Sequence, residues 1–366
     1  MFHNPFPDAF GLDIGDLSLK LVQLRNVSLR SRHPSYRLEE ARSISLPPGL
    51  IVDGIFEQPE QVRHYIKKLL DATNKQKRIS SPWVVASLPE THGFIKLLTI
   101  QKSIDDIIED DILITAKKHI PFDDKDSYYL DWEIITPTSQ GDETNILISA
   151  IPRQVADTTT YLLESLGLGV VALEIEALSI ARSMVTATKI YEGEARALLD
   201  IGATRSSLVV YDDQSVRFSI SLPFSGELLT TAISQSLHNT HEEAEKMKHE
   251  YGLAYRKEKK LWATEMKLVK EFATQVRKAI HFYYSHFNEA HRITHITMCG
   301  GTSNLKYLEK ILSLELKIEC RPGNVWKNLA SSKKILIEPQ KALSYATAIG
   351  LALRAADNPF FTFDSI

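Results

Sequence analysis

Phe10-Gly11-Leu12-Asp13-Ile14-Gly15 is an apolar strand that ends in Asp-Ile-Gly. Beyond the glycine, Leu19, Leu21, Val22 and Leu24 alternate, so the pattern is a hairpin and not a strand running into a helix. The arrangement returns at Ala197-Leu198-Leu199-Asp200-Ile201-Gly202, followed by Ser206, Ser207 and the alternating stretch 208–211. One such turn is most simply an ordinary hairpin. Two in register, one per half of the chain, predict two like-folded domains facing each other across a cleft.

Around these turns the chain alternates strand and helix. A helix over 59–70 sets Val62, Ile66, Leu69 and Leu70 on one face, and a strand over 83–88 follows. Between about 89 and 152 the order changes to strand (94–100), helix (104–119), strand (128–135), loop (137–143) and strand (145–151), which reads as an inserted subdomain. A helix over 155–166 and a strand over 170–175 return to the first domain. In the second half a helix spans 226–237. Thr240-His241-Glu242-Glu243 is a capping box for the next helix, and a long helix covers 264–290. A strand over 293–298 runs into Cys299-Gly300-Gly301, with a helix-like stretch over 304–314 beyond it.

The repeated turns carry the parts a phosphate tail needs: backbone N–H groups, a cation, and a carboxylate to hold a metal ion. Asp13 and Asp200 sit at strand ends, and Gly15 and Gly202 let the main chain approach a ligand. Lys20 is the cation; Ser18 and either Ser206 or Ser207 are hydroxyl donors. Gly300 and Gly301 are placed to let a flat base lie on bare backbone, or simply to make a tight turn. Glu245 and Lys248, three apart, share a helix face and bracket a ribose or form an ion pair. Small residues at 174–177 and 346–353 mark the hinge between the halves.

The 43 basic and 46 acidic residues leave a net charge of -3, which gives no general reason to expect nucleic acid or anionic lipid as a partner. Two cysteines exclude a disulfide framework. No run approaches the roughly 18 apolar residues of a membrane span, and residues 1–10 lack a secretory pattern, so a cytoplasmic location is expected.

The ordered set of motifs resembles the actin, Hsp70 and sugar-kinase superfamily: an α/β, actin-like ATPase fold of two RNase H-like domains around a nucleotide cleft. Within it, the stretch from Phe10 to Val22, Leu222-Pro223-Phe224-Ser225-Gly226, the segment 242–248 and Met298-Cys299-Gly300-Gly301 are similar to the PilM family of type IV pilus assembly proteins. The resemblance implies a first domain of residues 1–190 with 338–366, carrying an FtsA-type insert at about 89–152. It implies a second domain of 191–337, whose segment 226–262 holds the Glu-x-x-Lys helix. It implies ATP with Mg²⁺, bound by Asp13, Gly15, Ser18 and Lys20 on one side and by Asp200, Gly202 and Ser206 on the other. Glu245, Lys248, Gly300 and Gly301 then lie at the nucleoside, and Asp13 and Asp200 meet Mg²⁺ through water. It also implies a partner near the insert, the N-terminal cytoplasmic tail of a PilN-like inner-membrane protein. Further expectations are contacts with other pilus platform or motor proteins, homo-oligomerisation, and slow ATP turnover at most. Two residues depart from the family pattern. Asp16 adds a second carboxylate beside the phosphates, and Arg205 is either an extra phosphate cation or a surface residue.

Rival readings are a filament-forming FtsA-like division protein and a sugar or acyl kinase. The first relies on a C-terminal amphipathic helix, whereas 358–366 has no basic face; Phe360, Phe361 and Phe363 there dock on a neighbour or fold back. The second needs a substrate-directed base; Glu174 and Glu176 are present without a recognisable substrate motif. Gly167-Leu168-Gly169 precedes a strand instead of following one, which excludes a dinucleotide turn.

Overall fold

The computed structural model describes residues 4–28, 35–73, 77–121, 127–135, 143–255, 259–287, 289–330 and 337–357. The expected loop at 137–143 falls almost wholly outside these, as do the three aromatics of 358–366.

The first half contributes β1 (Phe10–Ile14), β2 (Ser18–Asn26), β3 (Tyr36–Ser45), the small hairpin β4 (Ile51–Val52) and β5 (Ile55–Phe56), α1 (Pro59–Leu70) and β6 (Trp83–Leu88). The insert holds β7 (Phe94–Ile100), α2 (Glu109–Lys117), β8 (Tyr128–Ile135) and β9 (Thr144–Pro152). Then come α3 (Arg153–Glu164), β10 (Gly169–Ile175) and α4 (Glu176–Met184). The second half runs through β11 (Glu194–Ile201), β12 (Ser206–Asp212), β13 (Ser215–Leu222), α5 (Gly226–Leu237), α6 (His241–Tyr251) and α7 (Lys259–His286). It closes with β14 (Arg292–Cys299), α8 (Leu308–Leu316), β15 (Glu319–Pro322) and α9 (Ala346–Ala356).

The sheet order β3-β2-β1-β6-β10 in the first half repeats as β13-β12-β11-β14-β15 in the second. In both, the opening strand pairs antiparallel with the next and parallel with the one beyond. Alternation along β1 sends Phe10, Leu12 and Ile14 to a core with α1 and α3. Its other face carries Gly11, where a Cβ would stand 2.4 Å from the Ala352 nitrogen of α9. β11 divides likewise: Ala197, Leu199 and Ile201 enter a core with α7 and α8, while Leu198 joins the core around α4 and α9. That middle core contains residues of both halves, among them Val22, Ile180, Ile349, Leu198 and Val209. It places the two helices between the sheets.

The insert joins the second sheet. β7 pairs with β13 through Phe218 and Lys96, and the order continues β7-β9-β8, giving eight strands with β8 at the edge. Its helix is shorter than the 104–119 expected from periodicity: Glu109, Asp110 and Asp111 crowd the first turn, where negative charge suits the helix dipole. The capping box at Thr240 forms as read, with Thr240 accepting from the Glu243 N–H and the Glu243 carboxylate accepting from the Thr240 N–H. The stretch 304–314 divides into a 3-10 turn over Gly301–Asn304 and α8.

Candidate functional site

The two Asp-Ile-Gly turns have the same backbone. Gly15 N–H donates to the Ser18 carbonyl at 3.1 Å, and Gly202 N–H to the Arg205 carbonyl at 2.8 Å. A Cβ on Gly202 would lie 2.8 Å from that carbonyl oxygen, so the turn needs glycine. The four-residue turn sets Asp13 opposite Lys20 and Asp200 opposite Ser207. Directly opposed residues share a sheet face. Lys20 Nζ accordingly donates to Asp13 Oδ2 at 3.1 Å and to Ser18 Oγ at 3.0 Å. Burial opposes the ammonium charge, but Asp13 and Asp200 outweigh it and hold its pKa above the ordinary value.

Ser206 falls on the opposite face and donates to the Phe224 carbonyl at 2.7 Å. Ser207 is the residue beside Asp200, and its buried hydroxyl has no hydrogen-bond partner among the described residues. Of the two serines named from sequence, the spacing favours this one, because Asp200 to Ser207 repeats the seven-residue step from Asp13 to Lys20.

Asp200 is pushed up to about 6 by burial and then by the Asp13 charge, against a hydrogen bond from the Cys299 thiol. Two carboxyls not assigned from sequence share this region. Glu176, at the start of α4, is pushed up to about 8 by burial; Arg205 opposes the shift, and Asp13, Asp200 and Glu90 add to it. Glu90, after β6, rises to about 7 by burial, against hydrogen bonds from Ser219 and the Ala177 N–H. Asp16 and Arg205, the two departures, meet each other: Arg205 Nη2 lies 3.0 Å from Asp16 Oδ1 across the cleft. Five carboxyls (Asp13, Asp16, Glu90, Glu176, Asp200) thus surround two cations, Lys20 and Arg205. Burial is the main cause of all three upward shifts, and five carboxyls against two cations leave the region with a surplus of acidic groups. Among the described residues, no three His, Cys, Asp or Glu side chains are grouped to hold a metal ion by themselves.

The remaining candidates lie on the second half. Gly300 has φ +82°, and its Cβ position is 2.4 Å from both Asp200 Oδ1 and the Ile201 carbonyl, so packing and backbone both require glycine there. Gly301 is open, its nearest neighbour being Ser344 Cβ at 3.7 Å. Thr302 Oγ1 ties this segment to the Gly202 carbonyl at 2.8 Å. Lys248 is buried; its Nζ donates to Glu245 Oε2 at 2.7 Å, to Thr230 Oγ1 at 2.8 Å and to the Gly226 carbonyl at 3.0 Å. Glu245 also accepts from Thr230 and meets His249. The Glu-x-x-Lys pair is therefore a partly buried anchor between α5 and α6, with Glu245 on the solvent side.

Duplicated five-stranded sheets, paired turns between them and two crossing helices define an actin-like α/β fold. The family model of the type IV pilus assembly protein PilM matches residues 11–356, and the chain belongs to that family. The solved structure of a PilM-PilN type IV pilus biogenesis complex is 24% identical, covers 96% of this chain and 100% of its own, and superposes with a TM-score of 0.80. MreB 5 of Spiroplasma citri bound to AMPPNP is 11% identical over 94% of this chain and 95% of its own, with a TM-score of 0.54. The cell division protein FtsA of Streptococcus pneumoniae serotype 2 (strain D39 / NCTC 7466) is 25% identical over 269 residues. That match takes in 67% of this chain and 56% of FtsA, little more than half the relative's length.

Proposed function

We propose that this chain binds ATP with Mg²⁺ between its two halves and works as a cytoplasmic assembly protein of the type IV pilus. In that role it links the N-terminal tail of a PilN-like membrane protein to the pilus machinery. The observation that carries the nucleotide reading is the facing pair of identical turns, each with a carboxylate at its strand end. The donor set suits the ligand. Ser207 offers a buried hydroxyl without a partner among the described residues, Lys20 a cation, and the surplus of carboxyls accommodates a divalent ion that takes one or two carboxylates plus phosphate oxygens and water. Mg²⁺ supplies the positive charge this cluster lacks. AMPPNP on MreB 5 supports the same use of the fold.

The partner reading draws on the PilM-PilN complex and on the insert's surface. Ile104, Ile108 and Ile114 are exposed around α2, and β8 ends the sheet with Tyr129 half out. No described helix is long and apolar enough to cross a membrane, in keeping with attachment through a partner. Calorimetry with ATP–Mg²⁺ tests the cleft: binding by the natural chain that Asp13→Ala and Asp200→Ala both abolish supports it, and no binding by the folded natural chain refutes it. Capture of the protein by an immobilised PilN-like tail peptide, lost on Ile108→Asp with Ile114→Asp, tests the partner.

A further inference from the structure

Arg205 leaves the second turn with its own carbonyl fixed by Gly202 N–H, and its side chain crosses to the first half. There it meets three separate segments. Nη2 donates to Asp16 Oδ1 at 3.0 Å in the first turn, and Nη1 to Thr91 Oγ1 at 3.3 Å after β6. Nη1 also lies 3.7 Å from Asp53 Oδ1 at the tip of the β4–β5 hairpin. The same Asp16 oxygen accepts the Gly54 N–H at 2.9 Å, so one carboxylate fastens both the hairpin tip and the opposite half. Asp53 and Gly54 have φ of +51° and +79°, the pattern of a tight two-residue hairpin that presents this N–H. The Asp16 and Arg205 side chains are only 6% and 13% exposed. A buried pair of this kind is tightly held together, because neither charge can be left alone.

A carboxylate and a phosphate present a guanidinium with the same chemistry, two oxygens in a plane that match its N–H fork. Beside Arg205 a cavity of about 500 Å³ opens, lined by Thr204, Ser221, Ser225 and Leu228 from one half and by Asp53 and Thr91 from the other. Ligand space therefore adjoins Arg205.

The geometry points to Asp16 as an internal stand-in for a phosphate: Asp16 and a nucleotide phosphate compete for Arg205, and the winner determines whether the β4–β5 hairpin is fastened to the second half. This rests on the nucleotide reading above and adds to it a phosphate-binding residue and a built-in competitor. The pair then lowers affinity in a phosphate-dependent way and couples ligand arrival to release of the hairpin.

The test is calorimetry with ATP–Mg²⁺ and with adenosine on the natural chain, Asp16→Asn, Arg205→Gln and Arg205→Lys, together with amide hydrogen exchange over 51–56. Asn still accepts the Gly54 N–H but no longer neutralises Arg205; thermal unfolding verifies that each variant is folded. Asp16→Asn is expected to tighten ATP–Mg²⁺ by about tenfold, Arg205→Gln to weaken it by about tenfold, and adenosine to stay unchanged in both. Arg205→Lys, which keeps the charge and loses the fork, falls between. Exchange over 51–56 should rise when ATP–Mg²⁺ is added to the natural chain, and should already be raised in Arg205→Gln. Equal ATP affinity in the natural chain and Asp16→Asn, or an equal shift for adenosine, overturns the competition and leaves the nucleotide reading standing. Failure of both proteins to bind ATP–Mg²⁺ overturns the two together.

Discussion

Gly350 of α9 lies directly on Ser179 of α4: a Cβ at Gly350 would stand 1.9 Å from the Ser179 carbonyl oxygen and 2.4 Å from its carbon. The two helices meet backbone to backbone within the core that the two sheets share. The obstacle is main chain, not a rotatable side chain, so accommodation means moving a helix. Gly350→Ala is expected to destabilise the fold by about 2–3 kcal/mol, at the upper part of the usual cost of overpacking. Denaturant unfolding of the two proteins measures it, and an unchanged midpoint would show that the helices slide apart freely.

Beneath that crossing Glu174 is fully buried and held by Arg182 and Arg354. Burial pushes its carboxyl up, but the two guanidiniums outweigh this and keep it below the ordinary 4.5. A carboxyl depressed in the folded state contributes stability that is present above its unfolded pKa and lost as pH falls through the folded value. Glu174→Gln should therefore cost about 3 kcal/mol at pH 7, since it leaves two cations facing an uncharged partner. The difference from the natural chain should shrink below pH 4.5. Unfolding midpoints at pH 7 and pH 3.5 test both parts.

Glu176 behaves in the opposite sense. Its folded pKa of about 8 lies above the ordinary 4.5, so its ionisation opposes folding, with a penalty that grows from pH 4.5 and is complete above pH 8. Glu176→Gln is expected to stabilise the free protein at pH 9 by about 1–2 kcal/mol and to leave it unchanged near pH 4. The check is a pair of melting curves at the two pH values, and stabilisation that is equal at both would remove the charge explanation.

The fold was largely legible because Asp13-Ile14-Gly15 and Asp200-Ile201-Gly202 report a duplicated local structure, and local turns follow local sequence. Asp13 and Lys20 came with it, being opposed across one short hairpin. Ser206 stands nearer the turn, but the two-residue period of the strand sets Ser207 on the face of Asp200. Asp16 and Arg205 each stand out in the sequence, but nothing there joins them: they are 189 residues distant, and the packing of one half on the other brings them together. Glu90 gives no signal of its own, since a carboxylate after Pro89 reads as an ordinary polar turn. The attachment of the insert to the second sheet depends on the meeting of Phe218 and Lys96, which no pattern in either strand announces.

Gly300 and Gly301 are adjacent and make opposite predictions. An alanine at 300 would be forced to φ +82° with its methyl against Asp200 and Ile201, which are main-chain and site atoms that cannot both yield. Gly300→Ala should therefore cost about 2–4 kcal/mol of stability and displace Asp200 as well. Gly301 has open space on that side and an ordinary backbone. Gly301→Ala should unfold within about 0.5–1 kcal/mol of the natural chain, the usual glycine-to-alanine range. If the nucleoside lies on this segment, the added methyl occupies its place, and ATP–Mg²⁺ affinity falls while the melting temperature holds. Measured side by side, a stability loss at 300 with an affinity loss at 301 places the base on Gly301. Unchanged affinity in Gly301→Ala would move the nucleoside away from this turn and leave Gly300 as a purely structural glycine.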